Sequence, residues 1–93
     1  MIAKLYIAKT ERGLFVNTAP GVRLKLEVVK DLGEKILFEL SRKNPERTRE
    51  LIYKHFVIAK NQLTTLPSHE PIEVDRLTEE EANLLLTNKK GGK

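Results

Sequence analysis

Ninety-three residues suffice for one modest hydrophobic core, and the chain contains no cysteine, which excludes disulfides, thiolate catalysis and cysteine-bound metal. The formal net charge of +4 is carried unevenly: residues 1–60 hold 13 basic and 7 acidic side chains, residues 61–93 hold 4 and 6. A basic body followed by an acidic strap points to an anionic partner for the body, although so small a net charge also fits an ordinary solvated surface.

No apolar run is long enough to cross a membrane. The opening MIAKLYIAKTERG has neither the apolar stretch nor the small-residue cleavage site of a secretory signal. The expected location is cytoplasmic. Many Lys and Glu, a single Met and no Cys make the composition thermophile-like.

Residues 2–8, IAKLYIA, mix apolar and β-prone types. Thr10-Glu11-Arg12-Gly13 reads as a turn and Leu14-Phe15-Val16 as the returning strand of a hairpin. Pro20-Gly21 suits a type II turn. Val22, Leu24, Leu26 and Val28 then alternate with Arg23, Lys25 and Glu27, the pattern of a strand with one buried and one charged face. Asp31-Leu32-Gly33-Glu34 turns the chain, and Ile36, Phe38 and Leu40 alternate again. The result is a four-stranded antiparallel meander ending at Ser41. Residues 24–43 also fit a helical period. Gly33, the Val28-Val29 pair and the strict alternation over 22–28 favour strands.

The stretch 44–63, NPERTRELIYKHFVIAKNQL, predicts one long helix. Asn44 is a natural cap, Pro45 fits the first helical position, and Glu46 suits the positive end. Ile52, Phe56, Ala59 and Leu63 recur at helical spacing, with Arg47, Glu50, Lys54 and Asn61 on the opposite face. A loop with two prolines, TTLPSHEP, follows. Ile72 and Val74 alternate with Glu73 and Asp75, which suggests a short edge strand over 72–76 guarded by its charges. Thr78 and Glu81 form a capping box, with Leu77 placed to staple against Ala82. The helix it opens has Ala82, Leu85 and Leu86 on one face and leaves Leu84 over. Lys89-Lys90-Gly91-Gly92-Lys93 reads as a mobile basic tail.

The expected fold is therefore α+β: a four-stranded antiparallel meander packed by one long helix, with a short C-terminal strand and helix. Residues 1–88 form a single domain and 89–93 the tail.

Enzyme signatures are sparse. His55 reads as a packing or edge residue. His69, Glu70 and Asp75 read as surface loop residues, because they lack any paired ligand spacing. Ser41 and Ser68 lack a nucleophile-elbow context, and the glycines form no phosphate loop. No enzyme activity and no cofactor or metal is expected.

Two features point to binding. Arg42, Lys43, Arg47, Arg49, Lys54 and Lys60 gather around the predicted long helix, with Arg23 and Lys25 on the wet face of a strand, a distribution suited to nucleic-acid phosphates. Glu46 and Glu50 interrupt that set. The few aromatics are assigned to the core, which argues against base stacking. The second feature is Leu84 on an acidic helix with Glu79 and Glu80, a docking element for another protein. The leading expectation is a non-enzymatic basic module acting on or beside nucleic acid, as an accessory subunit of a larger assembly. The alternative is a protein–protein accessory subunit that docks through its acidic C-terminal helix.

Overall fold

The structure, a computed structural model, describes residues 1–19, 22–41, 53–67 and 69–87. Seven strands form one antiparallel sheet: β1 (Ile2–Leu5), β2 (Ile7–Thr10), β3 (Gly13–Ala19), β4 (Val22–Asp31), β5 (Lys35–Leu40), β6 (His55–Ala59) and β7 (Ile72–Leu77). The described residues also hold two short helices, α1 (Lys60–Leu63) and α2 (Glu79–Thr87).

The strand order is β1-β7-β6-β5-β4-β3-β2, so β2 to β7 form one continuous meander and β1 adds to its far side. The two edge strands are joined through Tyr6 alone. Laid flat, seven strands at about 4.8 Å spacing would hold these edges about 29 Å apart. Two peptide steps span less than about 8 Å. The sheet must therefore curl until its edges meet at Tyr6, which makes a half-barrel. Each edge strand has four residues and one lysine, Lys4 or Lys9, a short charged edge that discourages further pairing.

The concave face holds the main core. Ile7, Val16, Leu24, Leu26, Phe38, Leu40, Phe56, Ile58, Ile72 and Val74 project into it, joined by Leu66 from the loop after α1. The register explains this set. Ile7 lies opposite Val16 and Val16 opposite Leu24, while Leu26 faces Leu40 and Phe38 faces Phe56. A second, smaller cluster sits on the convex face, where Leu37, Val57 and Leu77 pack under Ala82, Leu85 and Leu86 of α2.

The four-stranded meander crossed by one long helix is thus corrected, among the described residues, to a seven-stranded curled sheet with two short helices. Part of the predicted helix over 44–63 is strand β6, followed by the single turn of α1; residues 42–52 lie outside the described residues. The physical reason is two-sided burial. As a strand, β6 sends Phe56 and Ile58 into the main core and Val57 into the cluster under α2. A surface helix would bury one stripe only. An aromatic followed by two β-branched residues also favours the strand. A strand buried on both faces reads as a continuous apolar run, which mimics helical spacing.

Other expectations fared better. The described part of 24–43 forms β4 and β5, not a helix. Gly13 and Gly33 adopt φ of 127° and 104°, the left-handed region at the two turns. The Gly33 N–H donates to Asp31 Oδ1 at 2.8 Å, closing the β4–β5 turn. The strand expected over 72–76 exists, but it is interior, flanked by β1 and β6. The predicted tail over 89–93 and the Pro20-Gly21 turn lie outside the described residues. Among the described residues, no helix is long and apolar enough to cross a membrane.

Candidate nucleic-acid interface

The predicted basic cluster is redistributed. Arg42, Lys43, Arg47 and Arg49 lie outside the described residues. Lys54 and Lys60 are described, and they bracket strand β6 rather than sharing a helix face. Six helical steps would separate them by about 9 Å, whereas six extended steps give about 20 Å. Lys54 is half-buried, and its carbonyl accepts from the Leu40 N–H at 2.9 Å. Lys60 is committed to Asp31, with Nζ 3.1 Å from Oδ2. The Gly33 N–H and the Lys60 ammonium together hold the Asp31 carboxyl below its usual value of 3.8. Lys60 is thus a staple between α1 and the β4–β5 turn.

A different group of cations does converge. On the convex face, Ala8 and Thr10 of β2, Gly13, Phe15 and Asn17 of β3, and Arg23 and Lys25 of β4 share one side of the sheet. Their register follows from the pairs Ala8–Phe15, Thr10–Gly13, Phe15–Lys25 and Asn17–Arg23. Alternation forces this. Leu14 and Val16 turn to the core, so Phe15 between them turns out. Thr10, Glu11, Arg12, Phe15 and Arg23 line an open cleft of about 470 Å³. Ala8, the partner of Phe15 across the ladder, carries only a methyl group.

The Thr10 hydroxyl shapes the turn that carries Arg12. It accepts the Arg12 N–H at 3.0 Å and donates to the Gly13 carbonyl at 3.3 Å. Lys25 lies along the same surface, its Cε 3.1 Å from where a β-carbon on Gly13 would stand. Among the described residues, the Arg12, Arg23 and Lys25 side chains face no carboxylate at ion-pair distance, so their charge is available to an external anion.

Farther round the convex face the chemistry changes. Glu27, Glu39, His55 and Leu77 lie across four neighbouring strands. His55 is buried, with Nε2 3.5 Å from the Glu39 carboxylate, as a packing residue of a strand rather than of a helix flank. Among the described residues no group of three or more His, Asp or Glu is placed to hold a metal ion. Beyond this belt, α2 covers Leu37, Val57 and Leu77. Its capping box forms in both directions. The Thr78 N–H donates to Glu81 Oε1 at 2.9 Å, and the Glu81 N–H to Thr78 Oγ1 at 3.2 Å. Glu79 and Glu80 are exposed, and Leu84 is 68% exposed.

Sequence reasoning noticed Arg23 and Lys25 but assigned Phe15 to the core and passed over Arg12. The missed signal is phase: three consecutive apolar residues in a strand cannot all face one side. Compared with protein-family models, curated proteins and solved structures, the chain matches none, so the character of this face rests on its own residues.

Proposed function

We propose that this chain is a non-enzymatic binding module that holds nucleic acid on the convex face of β2, β3 and β4, as an accessory part of a larger assembly. The observation that carries this reading is an open cleft lined by Arg12, Arg23 and the aromatic Phe15, with Lys25 on the same sheet face beside Phe15. Guanidinium and ammonium groups on paired strands supply phosphate contacts without any sequence motif. Arg42, Lys43, Arg47 and Arg49 are proposed as further phosphate contacts.

The test is a salt-dependent titration against duplex DNA, single-stranded DNA and structured RNA. Binding is expected to weaken steeply with salt. The combined variant Arg12→Ala, Arg23→Ala, Lys25→Ala should lose at least about tenfold in affinity and flatten the log–log salt slope by about 2. No binding of any nucleic acid at low salt overturns the reading.

A second reading is protein docking through α2, favoured by the exposure of Leu84 beside Glu79 and Glu80. Leu84→Asp would then shift an oligomer seen by light scattering to monomer, or release a purified partner, with the melting temperature unchanged. An unaltered elution and mass would remove this surface.

A further inference from the structure

We infer that the nucleic acid held in this cleft is an unpaired strand, one base stacking on Phe15 while Arg12 and Arg23 hold neighbouring phosphates; this rests on the nucleic-acid reading above. In a duplex each base is stacked on its neighbours and presents only its edges, so an aromatic ring finds no base face to cover. An extruded base needs a ring with open space beside it and cations close by. Phe15 meets this description. It lines the cleft and has the small Ala8 directly across the ladder, while the Lys25 stem lies against Gly13. Phosphate contact alone would need no aromatic here, and the half-buried Phe15 lines the cleft.

The cations are arranged for a strand that crosses the ring. Arg23 and Lys25 stand two residues apart on β4, about 7 Å along the sheet. Arg12 lines the same cleft from the β2–β3 turn, with its backbone N–H held by Thr10. The cleft, at about 470 Å³, falls in the size range of small-ligand sites. Glu11 also lines it. A carboxylate only accepts, so Glu11 suits the amino edge of a base and disfavours a phosphate at its own position.

The chain contains no tryptophan, so Phe15→Trp places a single indole reporter in the cleft. This variant is titrated with oligodeoxycytidylate, oligocytidylate, a DNA duplex of equal length and inorganic polyphosphate. Quenching by the single strands, and none by the duplex or polyphosphate, is the expected result. The DNA and RNA arms show which sugar the site accepts. In parallel, Phe15→Leu should weaken single-strand binding on the order of tenfold and leave duplex binding unchanged, while Phe15→Tyr keeps wild-type affinity. A circular-dichroism melt establishes that each variant is folded.

If nucleic acid binds with a steep salt dependence but the indole stays silent and Phe15→Leu binds like wild type, stacking is overturned and the phosphate reading survives. If no nucleic acid binds, both fall together.

Discussion

The convex face of this half-barrel has two unlike halves. Over β5, β6 and β7 it is apolar and roofed: Leu37, Val57 and Leu77 pack under α2. Over β2, β3 and β4 it has no helix upon it among the described residues, and it carries Arg23, Lys25 and the half-buried Phe15. A row of Glu27, Glu39 and His55 crosses from the open half into the roofed one. The same sheet thus solves the problem of its second surface twice. Where apolar residues alternate outward, the chain supplies its own cover. Where charged residues do, the face is left to water.

That contrast can be broken by mutation. Leu37→Ala, in the roofed half, removes a side chain with no exposed surface and should destabilise the fold by about 2–5 kcal/mol in urea titrations. Phe15→Leu, in the open half, should cost under about 1.5 kcal/mol. Equal losses would show that Phe15 is a core residue after all and remove the distinction between the halves.

A smaller effect is expected at the roof's edge. Thr78→Ala deletes the hydroxyl that accepts the Glu81 N–H and should cost about 1 kcal/mol. Hydrogen exchange should localise the loosening to α2. Protection lost equally from β3 and β4 would mean that the roof supports both halves.

The smallest effect concerns Asp31, at the end of β4 where the chain turns into β5. Its folded-state pKa is lowered by the Gly33 N–H first and by Lys60 second. A depressed carboxylate pKa adds stability above the unfolded value, and that stability is lost as pH falls below about 4 and through the folded pKa. The melting temperature of wild type should therefore exceed that of Asp31→Asn slightly at neutral pH and converge with it in acid. A gap that widens in acid would contradict the sign.

Much of the chain could be read locally. The buried positions Leu24 and Leu26 of the alternating strand, the turns at Gly13 and Gly33, and the Thr78–Glu81 box each depend on neighbours within a few residues and form as read, whereas Val28, read as a buried position, is exposed beside the irregular β4–β5 register. The error at 55–59 has a different origin. Phe56, Val57 and Ile58 look alike on one helical face or on two sheet faces, and the choice rests on having β5 and β7 on either side. The site was obscured for a related reason. Phe15, Arg23 and Lys25 are adjacent only through the β3–β4 register, whereas Lys54 and Lys60, near each other in sequence, are spread by the strand between them.

Composition and spacing were sufficient for the basic character, the alternating strands, the turn glycines and the cap of the last helix, because each is a short-range matter of charge, sterics or a single hydrogen bond. The closure of the sheet at Tyr6, the strand character of 55–59 and the gathering of Arg12, Phe15, Arg23 and Lys25 required long-range strand pairing, because only the ladder register assigns each side chain to the core or to water.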